Sequence, residues 1–456
     1  MKRAFSISAV ILALMLLPGS AQAQNGRPLT LQECVEMALQ NNSTLLNAER
    51  RKRIAGTQVT TARAGILPNL DASFSSGRNQ AGDRTRLGDV PIGIDPNTGQ
   101  TIFERRVTTQ PGFTSNSHST QASMTLPLFD FGSNWNRIRQ ANAAEETSTM
   151  TYEATKQNTI LLVYQRYLGY LKDLQLLGVY EEAAKSSEEQ LKRTESMHEI
   201  GSVAQGDVFR ARTTFGNNRI SLITQRNSVA NSRNLLNVAL GRPADAEISI
   251  VDIEEVPPYQ EYALEEVLKI AADKNPDLLS FRHEMRRAQF GKGIARTSFL
   301  PSFSISGLYS RSNDEFKRVY SDFNKNWFGQ VSLDARWNLF NGFSDRAAVQ
   351  REALNYRIAE ENYQNRLRNL RSEAEQALLS LQAWKEITTI NSDNLISAQE
   401  DLRLAQERYR VGAGTLLEII NAQYDLTRAK STYISAKYDS MIAFAQLQTA
   451  MGVLQE

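Results

Sequence analysis

The stretch "ERYRVGAGTLLEIINAQ", residues 407 to 423, ends one long helical pattern and begins another within a few positions. The first pattern stops at Val411 and Gly412, and the second starts after Gly414 with an acid, Glu418, in its first turn. A glycine just past a helix end adopts the left-handed conformation that lets the chain turn back. The segment 411–417 therefore predicts a corner between two antiparallel helices.

The same corner occurs earlier in the chain, because the sequence repeats itself. The segment "LQECVEMALQNN" (31–42) matches "LEEVLKIAADKN" (264–275). Further matches, all at an offset of 211 residues, are Leu128-Phe129 with Leu339-Phe340, Ile200-Gly201 with Val411-Gly412, and Leu240-Gly241 with Met451-Gly452. We interpret the chain as one structural unit used twice, over 24–242 and 263–456. A connector at 243–262 joins the two units, and the first unit has its corner at 200–207.

Each unit contains helices of unusual length. All twelve prolines lie outside the runs 128–242 and 302–456, as expected for helices that cannot tolerate a kink. The first long helix is predicted over 133–200, about 100 Å at 1.5 Å per residue. It is long enough to pair with the helices 31–66 and 207–241 stacked end to end. Apolar residues and alanines recur every seven residues along the returning helices, which predicts coiled-coil packing.

Between the helices the pattern changes to strict alternation. In "WFGQVSLDARWNLF" (327–340), Val331, Leu333 and Ala335 share one face, while Ser332 and Asp334 lie on the other. Such alternation is typical of a transmembrane strand with a lipid-facing and a lumen-facing side. Each unit offers one β-hairpin, at 67–129 and at 300–340, and aromatic residues gather at the strand ends. Four strands cannot close a barrel, so the chain must oligomerise, and three copies would supply 12 strands.

Composition and motifs exclude several other classes of function. The chain has 52 Lys and Arg against 50 Asp and Glu, with no basic block that would indicate a nucleic-acid partner. Residues 1–23 read as a signal peptide ending at Ala21-Gln22-Ala23, and no later run is apolar enough for a transmembrane helix. The histidines, His118, His198 and His283, lack metal-ligand spacing. We therefore predict export, no enzyme activity, no cofactor and no metal.

Together the duplicated pattern, the strand pairs and the corner "YRVGAGTLLEI" resemble the TolC-type outer-membrane efflux family over nearly all of residues 29–453. The resemblance implies an α+β fold of long antiparallel helices and four transmembrane strands per chain. It also implies a homotrimer in the outer membrane, with a 12-stranded β-barrel continued by a periplasmic α-barrel. The implied partners are outer-membrane lipid, a periplasmic adaptor protein, and an inner-membrane pump of the RND, ABC or MFS type.

The resemblance also implies roles for residues at the corners. Tyr409 matches the tyrosine that ties the closed tip, Asp207 the aspartate that it bonds, and Glu418 the first of two acids around the aperture. Two positions depart from the family pattern, since Asn421 replaces the second acid and Gly414 replaces an arginine. The corner residues expected at the adaptor-docking tip are Gly201, Val203, Val411, Gly412 and Gly414.

Other interpretations stay open at this point. Glu418 and Asp207 are also ordinary acids for a first helical turn, where the helix dipole favours them. If three Glu418 side chains met near one axis, they would repel one another and attract cations. A periplasm-spanning coiled-coil tether explains the heptads but not the alternating strands. Within the channel interpretation, efflux of drugs or metals and secretion of proteins are equally compatible with the sequence.

Overall fold

The computed structural model describes residues 27–253, 261–321 and 323–454. The predicted signal peptide and the Pro257-Pro258 part of the connector therefore lie outside the described residues. The elements, in chain order, are α1 (Leu31–Asn41), α2 (Ser43–Ala64), β1 (Asn69–Ala81), β2 (Arg84–Ile94), β3 (Thr101–Gln110), β4 (Phe113–Phe129), α3 (Ser133–Glu199), α4 (Gln205–Ala239), α5 (Leu264–Lys274), α6 (Pro276–Thr297), β5 (Ser302–Asn313), α7 (Phe316–Val319), β6 (Trp327–Arg336), α8 (Ser344–Arg410) and α9 (Leu416–Met451).

The helices pack side by side around two long members. Helices α3 and α8 have 67 residues each, so each is about 100 Å long. Near the sheet the neighbours follow the order α2, α3, α6, α8, and toward the corners the order is α4, α3, α9, α8. The predicted alanine stripe on α9 is buried at Ala422, Ala429, Ala436 and Ala443, where it lets the helix backbones approach closely. Within the described residues, no helix is both long and apolar enough to cross a membrane.

The predicted single helix over 31–66 is in fact two helices, broken at Asn42. The Asn42 side chain caps α2 by accepting from the Thr44 amide (2.9 Å), and its amide group donates to the Ala239 carbonyl (3.3 Å). Asn275 repeats this arrangement between α5 and α6. Its side chain accepts from the Leu278 amide and donates to the Ala450 carbonyl, both at 3.0 Å. We call these two places the joints. At each joint the end of a returning helix, α4 or α9, is bonded to the asparagine between two shorter helices.

The largest buried cluster lies at the level of the joints. Tyr167 of α3 donates to the carbonyls of Val251 (2.6 Å) and Leu29 (3.1 Å), which connects the N-terminal segment to the connector. Tyr438 of α9 donates to the Asp252 carboxylate at 2.8 Å. Cys34 is fully buried in the same cluster, and burial raises the pKa of its thiol to about 12. This region therefore holds the two units together.

The four predicted strands form one antiparallel sheet in the order β1, β4, β5, β6. Strand β6 ends at Arg336 rather than continuing to residue 340, and the Trp337 indole donates to the Phe299 carbonyl at 3.0 Å. Strands β2 and β3 form a separate two-stranded ribbon inside the segment predicted as the first hairpin, 67–129. Its pairing shifts between Pro91 and Gly93, so the alternation that marks a strand is interrupted there.

Candidate functional site at the helix corners and open edges

The two corners share one backbone design. After α3, the Gly201 amide donates to the His198 carbonyl and the Ser202 amide to the Met197 carbonyl, both at 2.8 Å. After α8, Gly412 and Ala413 make the corresponding bonds to Tyr409 (3.1 Å) and Arg408 (2.8 Å). Both glycines have φ of +75°, which side chains disfavour. Each corner is therefore a Schellman turn that ends a long helix and reverses the chain.

The corners expose apolar side chains to solvent. Ile200 is 81% exposed and Val411 is 66% exposed, at equivalent positions just before the two glycines. Val203 is half-buried, and its carbonyl lies 3.0 Å from Nδ1 of His198. The sequence marked Val411 as a docking residue but used Ile200 only as evidence of the repeat. The signal for Ile200 was present, because its match to Val411 predicts the same exposure.

The predicted link between Tyr409 and Asp207 is not formed in this structure. The Tyr409 hydroxyl instead lies 3.8 Å from the Met197 sulfur, so it connects the last turn of α8 with the last turn of α3. Asp207 lies in the first turn of α4, beyond the corner, and no hydrogen bond joins it to Tyr409 among the described residues. The structure therefore brings the two corners into contact, but through a different partner for Tyr409.

Glu418 is engaged within its own chain. Its amide donates to the hydroxyl of Thr415, the N-cap of α9, at 3.3 Å, and that hydroxyl lies 3.4 Å from the Glu418 carboxylate. The Arg408 guanidinium lies 3.6 Å from the same carboxylate and donates to the Ala413 carbonyl at 3.3 Å. Asn421 is exposed and lies one turn further along α9. The carboxylate at this corner thus has a cation of its own chain beside it.

Gly414 makes room for that arginine. A Cβ at this position would lie 3.0 Å from the Tyr409 amide nitrogen and 3.1 Å from Cβ of Arg408. Any larger side chain would therefore press against the turn that carries Arg408. The chain lacks an arginine at 414, and it places the arginine of position 408 near Glu418 instead.

A large groove leads away from the corners between the two helix pairs. Its volume is about 1420 Å³, and Met197 and Tyr409 are among its lining residues. Its walls are mixed and mostly apolar, and all four long helices also contribute polar side chains, including Gln190, Asn217, Asn391 and Arg428. In the part of the chain that the structure describes, no group of three or more His, Cys, Asp or Glu side chains could hold a metal ion.

The opposite end of the molecule has open edges. Among the residues that the structure describes, strands β1 and β6 each have one neighbour in the sheet. Large apolar side chains point outward from these strands, with Leu70 at 75% and Val331 at 82% exposure. In the helical layer, α2 and α4 lie at one side and α8 at the other. A single chain therefore has unpaired backbone groups and uncovered apolar surface along both sides.

The long helices continue a sheet whose edge strands expose large apolar side chains. This architecture is that of an outer-membrane channel protein rather than an enzyme. Comparison with known sequences agrees, since the profile of the family "Outer membrane efflux protein" matches residues 34–242 and again 267–453. The chain belongs to this family. It is an outer-membrane efflux protein with a periplasmic helical part, and the predicted fold, function and location are confirmed. Such a component works with other parts of a pump assembly.

Similar proteins match most of its length. A probable efflux pump outer membrane protein, TtgC of Pseudomonas putida, is 24% identical over 425 residues, which cover 92% of this chain and 82% of that protein. The outer membrane protein TolC of Vibrio cholerae is 22% identical, with 97% and 94% covered. The crystal structure of the Campylobacter jejuni CmeC outer membrane channel has a TM-score of 0.78 at 19% identity, with 93% and 86% covered.

Proposed function

We propose that three copies of this chain form one duct, with a 12-stranded barrel in the outer membrane and an α-helical tunnel in the periplasm. The observation that carries the proposal is the pair of open edges. An unpaired backbone group in lipid costs several kcal/mol, so β1 of one copy needs β6 of the next. Three four-stranded sheets supply an even number of strands, as most such barrels have. The same rotation closes the helical layer, with α8 of one copy beside α2 and α4 of its neighbour.

In this trimer the corners form the inner end of the duct and its gate. Tyr409, Asp207, Glu418 and Asn421 lie on the turns that meet there, and the Tyr409 contact with Met197 draws the two corners of one chain together. Glu418 and Asn421 would line the aperture in three copies each. Because Arg408 stands beside Glu418, the ring is one of ion pairs and not of bare carboxylates.

The exposed tip is the proposed docking site for a periplasmic adaptor. Ile200 and Val411 offer apolar contact area, and the glycine turns at Gly201, Gly412 and Gly414 keep that area free of bulky neighbours. An inner-membrane pump of the RND, ABC or MFS type would deliver cargo through the adaptor. Because the chain belongs to a family of outer-membrane efflux proteins, we infer that this duct serves efflux.

Ion current through a planar lipid bilayer tests the gate. We expect the purified protein to give small discrete steps, and we expect larger steps from Tyr409→Phe, because the phenylalanine ring cannot donate to Met197. Asp207→Ala, measured alone, distinguishes the contribution of Asp207 to closure from that of Tyr409. If Asp207→Ala also enlarges the steps, the aspartate contributes to closure through a neighbouring copy. Steps that are unchanged in both variants would remove both residues from the gate.

A further inference from the structure

The two faces of the sheet differ in chemistry in the part that lies nearest the helices. In an antiparallel sheet, paired residues and residues two apart share a face. The register places these apolar residues on one face: Leu70, Phe74, Met124, Ile305, Val331 and Leu333. The opposite face carries Asp71, Ser73, Gln121, Ser306, Ser332 and Asp334. In the proposed barrel, the first face meets lipid and the second lines the lumen.

Arg311 lies on the apolar face, where a charged side chain is unexpected. It is paired with Thr120 on β4 and with Trp327 on β6, two residues beyond Tyr309. An arginine facing lipid costs about 2–4 kcal/mol at the membrane midplane and about 0–1 near the interfaces. Yet Arg311 is only 4% exposed, so something other than lipid covers it.

The cover is the connection between β5 and β6. We call residues 314–321 and 323–326 the outer-face loop. The Arg311 guanidinium donates to the Ser321 carbonyl at 2.6 Å and to the carbonyls of Arg318 and Lys325 at 3.4 Å. It also lies 4.7 Å from the centre of the Phe323 ring, in cation–π geometry. Arg311 therefore holds the loop against the lipid-facing side of the sheet.

The loop reaches across that face to the edge strand. The Phe316 ring lies 5.7 Å from Phe74 of β1 and 5.6 Å from His118 of β4, in edge-to-face geometry. The Tyr320 hydroxyl accepts from Thr120 at 3.2 Å, and Val319 of the loop is buried. Phe74, His118 and Thr120 all belong to the apolar face. The loop is thus folded outward, away from the polar face that would line the lumen.

The outer surface of the loop has the character of a membrane interface. Phe316, Tyr320 and Phe323 stay exposed beside Tyr309 and Trp327, whose rings stack at 6.3 Å. The residues 314–326 contain three acidic and three basic side chains, so no net charge keeps them out of the headgroup layer. Tyrosine and tryptophan are enriched at the level of the lipid headgroups, because their rings are apolar and their tips polar. The loop also continues an apolar face that ends at this level.

We propose that the outer-face loop is an anchor that rests in the headgroup layer of the outer leaflet, and that Arg311 is the residue that holds it there. The proposal rests on the proposed function, because it requires the apolar face of the sheet to meet lipid. It also implies that this connection leaves the mouth of the duct uncovered.

Nitroxide labelling in lipid vesicles tests the depth of the loop. The native Cys34 is buried, so single cysteines can be labelled at Lys317 in the loop, at Val331 on the lipid-facing strand, and at Gln100 in the turn between β2 and β3. We expect the ratio of collisions with oxygen to collisions with a water-soluble nickel complex to be several-fold higher for Val331→Cys than for Gln100→Cys. Lys317→Cys should lie between them.

The outcomes separate the two proposals. A ratio for Lys317→Cys equal to that of Gln100→Cys would place the loop in water and overturn the anchor. A ratio for Val331→Cys equal to that of Gln100→Cys would mean that the sheet does not meet lipid, which overturns the proposed function as well.

A second pair of variants tests the role of Arg311. In Arg311→Gln the label at position 317 should become more mobile, and its ratio should fall toward that of position 100. The matched control is Arg318→Gln, which removes only the exposed ion pair with Glu315 and should leave the label unchanged. Single-channel conductance should be the same in both variants. A higher conductance in Arg311→Gln would mean that the loop covers the mouth, and it would overturn the proposal.

Discussion

The four glycine turns that end the long and returning helices have the same backbone but opposite surroundings. At the corners, Ile200 and Val411 precede the glycine and are largely exposed, and nothing lies within 4 Å of a Cβ built at Gly201 or Gly412. At the joints, Leu240 and Met451 occupy the equivalent positions, and their exposures are 0% and 1%. The same glycine turn is therefore buried at the joints, in the middle of the molecule, and exposed at the corners, at its tip.

Alanine at the glycine positions should break this comparison most strongly. In Gly452→Ala, the new Cβ would lie 2.6 Å from Cα of Asn275 and from the Lys274 carbonyl, at a φ of +74°. We expect the free energy of unfolding to fall by roughly 3–5 kcal/mol, because the cost of backbone strain and the cost of overpacking add. Gly412→Ala has the same φ but open space, so we expect about 1–2 kcal/mol. Thermal unfolding of the detergent-solubilised protein measures both, and equal losses would refute the assignment of the joint as the packed site.

The joint asparagines should give the next largest effect. Asn275→Ala removes the cap of α6 and the bond to Ala450, and we expect it to cost roughly 2 kcal/mol. Asn42→Ala should cost less, because Asn42 is partly exposed whereas Asn275 is buried. Asn41→Ala is the control, since that side chain is exposed and bonds only within its own helix. An unfolding midpoint that falls further in Asn42→Ala than in Asn275→Ala would contradict this account.

Polar substitution at the tip should leave stability almost unchanged and reduce docking. Ile200→Ser and Val411→Ser replace exposed side chains, so the unfolding midpoint should stay within the range of ordinary surface changes. We expect the double variant to weaken binding of the adaptor several-fold in a pull-down with the purified adaptor, because apolar contact area is lost. Binding equal to that of the unsubstituted protein would move the docking site away from the corners.

The sequence predicts the features that are local or periodic. The corners follow from Gly201 and Gly412, and the strand faces follow from alternation. The break at Asn42 was also readable, since Asn is a strong N-cap and a proline follows Asn275 directly. By contrast, the Tyr409 contact with Met197 joins residues 212 positions apart, and no pattern in the sequence encodes it. The covering of Arg311 likewise depends on how a connection folds back, which alternation alone does not determine.

The smallest expected effect concerns charge at the aperture and distinguishes two arginines of the same corner. Arg408 lies beside Glu418, whereas Arg410 pairs with Glu407 on the wall of the groove. Arg408→Ala removes the cation next to each of three aperture carboxylates, so the permeability ratio of cations to anions should rise. Arg410→Ala removes the same charge from a pair that does not include Glu418, so it should change the ratio less. Reversal potentials across a salt gradient measure both variants.

The effect of Arg408→Ala on the permeability ratio should shrink at high salt. At 1 M the Debye length is about 3 Å, so dissolved ions screen the aperture carboxylates from the permeating ion. An equal rise in both variants would show that only the net charge near the tip matters. In that case Glu418 would act as the N-terminal acid of α9, stabilised by Thr415 and the helix dipole, and not as part of the aperture. A permeability ratio that rises only in Arg408→Ala would instead show that Arg408 and Glu418 together set the charge of the gate. The exposed corner would then have a role in conduction, whereas the buried joint has a role in stability.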